Sequence, residues 1–255
     1  MKILTLKNHC MIAVLSFLLI FIVGCKNENN MKNHASLKIV SKQSLVYQLP
    51  EPRTESDFSV EKAFANRRSH RHYVDKAIDA SDVSQMLWAA YGVTHPANLS
   101  QLRGGLRTAP SAGALYPLEI YLLVGKVKDI EPGVYRYVAD SHQIAQTIDH
   151  DVKAELMAAA LNQEMIRDAP ACLFYSAIYE RTTEKYGHRG KERYVCMDLG
   201  HSAQNVYLQA EALHMGTCAI GAFNDEKVRE VMQLPEREIP LYIMPFGYYY
   251  NKPEF

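Results

Sequence analysis

The chain has 255 residues, 48% of them hydrophobic, and its 28 Lys+Arg are balanced by 28 Asp+Glu. That length and apolar content suit one domain with a full core, and the zero formal charge argues against nucleic acid or an acidic surface as a partner. The five cysteines form no Cys-x-x-Cys pair; with Cys10 and Cys25 assigned to the N-terminal segment below, Cys172, Cys196 and Cys218 remain, an odd set that reads as buried free thiols and not as a disulfide scaffold.

In chain order, Lys2 and Lys7 precede an apolar run from Met11 to Val23, broken only by Ser16, that ends in Gly24-Cys25. At about 1.5 Å per residue the run reaches roughly 20 Å, short of a ~30 Å hydrocarbon core, so residues 1–24 read as a signal peptide and a spanning helix is the weaker reading. Ile22-Val23-Gly24-Cys25 resembles a bacterial lipobox, which makes Cys25 the lipidated first residue of a membrane-tethered mature chain. An ordinary signal peptide or a short anchor is the alternative. Residues 25–56, rich in Asn, Lys, Ser and Pro and without a sustained period, are expected to be a flexible tether. The domain is placed at 57–255.

Within it, a capped start at Asp57 leads through Val60, Ala63 and Phe64 to a basic turn at Asn66-Arg67-Arg68-Ser69. Ser81 and Asp82 can cap a second helix carrying Val83, Met86, Leu87 and Ala90, closed by Gly92. Residues 94–108 lack a period and read as a loop. Pro117 to Val124 and Gly133 to Val138 are strand-like, Val152 to Leu161 is Ala-rich and helical, and Ala171 to Ile178 is a β-rich apolar run. A long helix is predicted from Lys191 to Met215, with Leu199, Ala203, Val206, Ala210 and Leu213 on one stripe. Strand, helix and strand follow at 216–223, 225–233 and 240–248. Strands and helices interleave without an internal repeat, so the class is α+β, a sheet covered by helices.

Three segments carry candidate chemistry. Arg67-Arg68-Ser69-His70-Arg71 sets three guanidinium forks and a hydroxyl at a helix end, a donor set that matches phosphate oxygens; the plain alternative is a solvated basic turn. Pro110-Ser111-Ala112-Gly113-Ala114-Leu115-Tyr116-Pro117 lets backbone approach a flat ligand, or is simply a structural loop. Ile220-Gly221-Ala222-Phe223-Asn224 leaves a strand and enters a helix where backbone N–H groups are free to donate, as in many such turns. Asp198 and His201 share a helix face at i, i+3. With no second such pair, a core helix at a dimer seam is the preferred reading and no metal is assigned.

Taken together and in this order, Arg-Arg-Ser-x-Arg-x-Tyr, Pro-Ser-Ala-Gly-Ala-Leu-Tyr-Pro, Asp198-x-Gly200 with Gln204-Asn205, Ile-Gly-Ala-Phe and Pro245-Phe246-Gly247-Tyr248 resemble the nitroreductase superfamily from about Val60 to Tyr250, and within it the SagB-type dehydrogenase branch. The resemblance implies a nitroreductase-like mixed sheet covered by helices, with the long helix at a homodimer interface. It implies an FMN-dependent oxidoreductase working by a ping-pong cycle, with NAD(P)H as donor where the cytoplasm is accessible, and a small-molecule substrate. Arg67, Arg68, Ser69 and Arg71 would hold the FMN phosphate and ribityl chain, and Pro110, Ser111, Ala112 and Gly113 would reach the ring from the other subunit. Gly221 and Ala222 would present a backbone N–H to flavin N5, Arg167 or Asp168 would sit near the ribityl and pyrimidine side, and Tyr194 would act as a gate or proton donor.

Two departures qualify the resemblance. Many members close a basic tail on the phosphate, for which only Lys252 is present here. Azoline-oxidising members favour Lys-Tyr where this chain has Arg193-Tyr194, and a guanidinium does not readily give up its proton, which argues against azoline oxidation. Export also removes the cytoplasmic reductant, so the alternative is a surface protein of this fold that binds a ligand or partner without catalysis.

Overall fold

The computed structural model describes residues 37–41, 45–98 and 102–250; the apolar run, Cys25 and Lys252 lie outside the described residues. The described residues centre on an eight-stranded sheet. Across it run β1 (Lys38–Ser41), β2 (Val46–Gln48), β7 (Gln143–Ile148), β6 (Gly133–Val138), β5 (Leu118–Val124), β8 (Ala171–Ala177), β10 (Ile239–Gly247) and β9 (Gly216–Thr217). A separate hairpin joins β3 (Val93–Pro96) and β4 (Gly105–Arg107). Every paired strand is antiparallel, and parallel pairing is confined to isolated bridges such as Ser69 with Thr217.

The middle of the sheet follows from its sequence. In β5 and β8 all seven positions are buried, as expected of strands covered on both faces. Because alternate side chains point to opposite faces, Leu118, Ile120, Leu122 and Val124 join one core with Leu173 and Tyr175, while Tyr121 and Leu123 join a second with Cys172 and Phe174. The first core is covered by α2 (Ala80–Tyr91) and α6 (Val195–Ala212) through Met86, Leu87, Val206 and Ala210. The second is covered by α3 (Lys153–Ala159), α4 (Met165–Asp168) and α7 (Asp225–Val231) through Leu156, Ile166 and Val228. The helix-covered α+β class is as expected, and a long helix is present.

Boundaries differ where side chains outside the periodic run decide them. α1 (Val60–Asn66) starts after Ser59, whose hydroxyl accepts from Lys62 N, and not at Asp57. α2 starts after Asp79 and not at Ser81. The long helix ends at Ala212, because His214 enters the left-handed region (φ 55), and its predicted start at Lys191 is a π-helical turn over Gly190–Tyr194. Helix α5 (Glu180–Tyr186), strand β7 and the β3–β4 hairpin were not foreseen from the sequence. Within the stretch read as a tether, β1 and β2 extend the sheet, and Tyr47 and Leu49 are buried beside it. Cys172 and Cys218 are buried thiols as expected, whereas Cys196 is exposed on α6.

Candidate functional site

The basic segment after α1 is fixed at the β9 end of the sheet. His70 N donates to Thr217 O (3.0 Å) and Val74 N to Tyr248 O (2.7 Å), while the hydroxyls of Tyr73 and Thr217 both donate to Pro245 O at 2.9 Å. Its side chains meet α6 at Tyr207. Ser69 Oγ lies 3.1 Å from Tyr207 Oη, a contact in which either hydroxyl can donate, and Tyr207 Oη also accepts from Ala219 N at 2.8 Å. The Arg67 guanidinium lies over the Tyr207 ring, 5.4 Å from its centroid, and forms no ion pair among the described residues. Arg68 donates to the carbonyls of Ala65 and Arg67, and its amide approaches Glu211 Oε1; Arg71 is exposed.

Ala219 leads directly into Gly221-Ala222. Ile220 is tied to Ile243 by reciprocal backbone bonds, and Gln163 Nε2 donates to Ala222 O at 2.8 Å. The N–H groups of Gly221 and Ala222 have no acceptor among the described residues, and both residues are exposed. Two of the three sequence segments, 67–71 and 220–224, are therefore joined, through Ser69 in the first and Ala219 just before the second, by one tyrosine that sequence reasoning did not single out. What remains open there is a guanidinium without an anion and two backbone donors without acceptors. Those are the groups a phosphate and the lone pair of a heteroaromatic ring nitrogen would use, so the residues present fit a flavin mononucleotide.

The third segment is held by the same helix. Asp198 is 2% exposed; its carboxylate accepts from Ser111 Oγ (2.5 Å) and Ala112 N (3.2 Å), and Ser111 Oγ accepts in turn from Tyr116 N (2.9 Å). Burial pushes the Asp198 carboxyl up from its ordinary value, against the opposing pull of those two hydrogen bonds. His201 Nδ1 sits 3.4 Å from Pro110 O and Asn205 Nδ2 donates to Thr108 O at 3.3 Å. Asp198 and His201 thus both face the loop.

The loop's backbone is unusual. Gly113 (φ 65), Ala114 (φ 55) and Tyr116 (φ 48) are all in the left-handed region, a cost for the two residues that carry a Cβ. A Cβ on Gly113 would stand 2.7 Å from Tyr186 Oη and 3.0 Å from Lys185 Nζ, side-chain ends that would have to shift, and its left-handed φ itself favours glycine. Tyr186 in turn packs its ring 4.8 Å from that of Tyr194. Tyr194 therefore neighbours the 110–113 loop through Tyr186, in the π-helical turn, a distortion frequent at functional sites.

Arg167 and Asp168 pair with each other at 2.8 Å on α4 and are half exposed. Among the described residues their side chains pair only with each other and with Glu164. Gln163, just before α4, accepts from Ile166 N through its carbonyl and links this region to Ala222 through its Nε2.

Residues 64–248 match the nitroreductase family. The chain is 45% identical over 191 residues to a nitroreductase-like protein of Methanocaldococcus jannaschii, covering 75% of this chain and 91% of that one. It is 28% identical over 147 residues to the microcin B17-processing protein McbC of Escherichia coli, and spans about half the length of that relative, 54%. Among solved structures, a nitroreductase-like protein of Ralstonia eutropha superposes with a TM-score of 0.69 at 26% identity, covering 81% of this chain and 90% of that one. The McbBCD microcin synthetase complex of Escherichia coli superposes with a TM-score of 0.60 at 24% identity, over 79% and 77%. With the family match covering most of the chain and a 45% identical relative covering three quarters of it, the chain belongs to the nitroreductase family of oxidoreductases.

Proposed function

We propose that the protein is an FMN-dependent oxidoreductase that works as a homodimer. The observation that carries this reading is the Tyr207 junction, which gathers Arg67, Ser69 and the strand leading to Gly221-Ala222 around unpaired donors. FMN, when bound, supplies a two-electron centre that is reduced by a donor and reoxidised by a substrate in separate, ping-pong half-reactions.

In this reading Arg67, Arg68, Ser69 and Arg71 bind the phosphate and ribityl chain, each charged contact contributing about 1.5–3 kcal/mol. The Gly221 and Ala222 amides are directed to flavin N5; fixed backbone donors need no reorganisation as charge changes there. Pro110, Ser111, Ala112 and Gly113 complete the partner's site, and Asp198 holds them in place. Tyr194 gates access or donates a proton. Arg167 and Asp168 are assigned to the ribityl and pyrimidine side. NAD(P)H serves as donor where the protein meets the cytoplasm. We further propose that Cys25 is the lipidated first residue of an exported, membrane-tethered form, which would need another donor or run as a substrate dehydrogenase.

Purified protein is expected to be yellow, to bleach with dithionite, and to bind FMN at least tenfold more tightly than riboflavin, which lacks the phosphate. Colourless protein after refolding with FMN, or equal affinities for the two flavins, overturns the cofactor assignment. Light scattering of the flavin-loaded protein should give a dimer, and a loaded monomer at micromolar concentration removes the shared site.

A further inference from the structure

Beside the Pro110–Pro117 segment, Arg103, Arg107 on β4, Arg136 on β6 and Arg181 on α5 gather around β5. Glu119 on β5 is 4% exposed and accepts from three of them: Arg103 Nη2 at 2.8 Å and Arg181 Nη2 at 2.5 Å on one oxygen, Arg136 Nε at 3.0 Å and Nη2 at 2.8 Å on the other. Burial alone would raise this carboxyl, but Arg103, Arg136 and Arg181 outweigh it and hold it below its ordinary value. A fourth guanidinium, Arg107, lies between the rings of Tyr91 (4.5 Å) and Tyr116 (5.0 Å) and donates only to carbonyls, those of Tyr91 and Arg103. Its Nε is buried and has no acceptor.

The charges do not balance. Four guanidinium groups face one buried carboxylate, and the other acid at the site, Asp140, is exposed. Both oxygens of Glu119 are already saturated by its three arginines. Next to this excess is a cavity of about 280 Å³ lined by Arg103, Arg107, Arg136, Glu119 and Tyr137. Water occupies roughly 30 Å³ in the liquid, so the space takes a molecule of several heavy atoms and not just one ion. A buried guanidinium N–H without a partner is costly, and an oxyanion would satisfy it.

We propose that this cavity is a binding site for a small oxyanion, an organic carboxylate or a phosphate. Arg107 Nε, Arg103 and Arg136 hold the charge, and Tyr137 forms a wall. Nothing in this assignment depends on flavin. Because Arg103 also donates to Tyr116 O at 2.7 Å, the bound anion would neutralise a residue that braces the 110–117 loop.

The test is calorimetric titration of sodium benzoate and, separately, inorganic phosphate into the full chain, with sodium chloride holding ionic strength constant. The parent should show saturable binding of at least one probe, and the tighter one identifies the source class. Arg107→Gln and Arg136→Gln should each weaken it about tenfold or more, the effect of one charge-assisted contact. Lys227→Gln, which removes an exposed charge on α7, should leave it unchanged. Arg136 is 43% exposed and its removal leaves Glu119 two arginines, so that variant stays informative if Arg107→Gln does not fold. No saturable binding in the parent overturns the proposal. So does binding that survives Arg136→Gln, or binding that Lys227→Gln abolishes, which would locate the anion outside this cavity.

Discussion

Replacing Asp198 with Asn tests how the Pro110 to Pro117 loop is held. The carboxylate receives two donors, Ser111 Oγ and Ala112 N, and Ser111 Oγ has no freedom to turn away, because its lone pair already accepts from Tyr116 N. Asparagine keeps one acceptor oxygen and turns the other position into a donor, so one donor faces another donor in a site that is 2% exposed. An unmatched buried donor costs about 1–3 kcal/mol, and loss of charge assistance on the surviving bond adds about 1 kcal/mol. The neutral amide recovers part of this, since burial already penalises the Asp198 charge. A net loss of about 2 kcal/mol is expected, which for a domain of this size is roughly 4–8 °C in Tm. The assay is calorimetry on the parent, Asp198→Asn, Ser111→Ala and the double variant, and the coupling energy should be about 1 kcal/mol or more. A Tm unchanged in Asp198→Asn, or strictly additive losses, would refute the clamp.

Tyr207→Phe removes the hydroxyl shared by Ser69 and Ala219 N and should cost about 1–2 kcal/mol in stability while weakening FMN binding, both read by flavin-fluorescence titration and melting; unchanged affinity would separate the basic turn from the cofactor. Glu119 is held below its ordinary value, so its stabilising contribution is complete above about pH 4.3, the unfolded-chain value, and is lost as pH falls through the lower folded value. Melting curves from pH 6 to pH 3 should therefore show an acid decline that is flattened in a destabilised Glu119→Gln, and parallel curves would contradict this. Ala222→Pro should retain FMN yet slow its reduction about 10²-fold in stopped-flow measurements, as loss of one preorganised donor does; reduction at the parent rate would move the N5 donor elsewhere. Cys25→Ser should release the protein from membrane fractions, and a variant as membrane-bound as the parent would make the apolar run itself the anchor.

The middle of the fold was legible because its information is local. Leu118 to Val124 and Ala171 to Ala177 are apolar at every position, and no polar alternative competes for them. The edge strands were not legible, since Lys38–Ser41 and Val46–Gln48 are too short to show a period. Tyr47 is buried in the core beside the Tyr135 ring, 5.8 Å away, a partner 88 residues further along the chain. The candidate site divides the same way. Its donor types, three arginines with a serine and a small-residue loop, are visible in the sequence. The residues that arrange them are not: Tyr207 reaches Ser69 across 138 positions and Asp198 reaches Ser111 across 87. An aspartate beside a histidine at i, i+3 suggested metal chemistry or a dimer seam, and only the tertiary fold reveals that both face the Pro110 loop.

Helix geometry explains how one element serves both halves of the site. Asp198, His201 and Asn205 follow i, i+3, i+7 spacing, so they form one stripe, and that stripe meets Thr108, Pro110, Ser111 and Ala112 in order. Tyr207 lies nine residues beyond Asp198; at about 100° per residue this is two and a half turns, which places it on the opposite side of α6, facing Ser69 and Ala219. A helix with polar clamps on opposite sides cannot rotate to improve one set of contacts without straining the other. Under the dimeric reading proposed above, the 110–113 loop belongs to the partner's site and the Tyr207 junction to the chain's own. A displacement of α6 would then be felt in two sites at once, and substitutions at Asp198 should alter flavin affinity in a partner whose own sequence is intact.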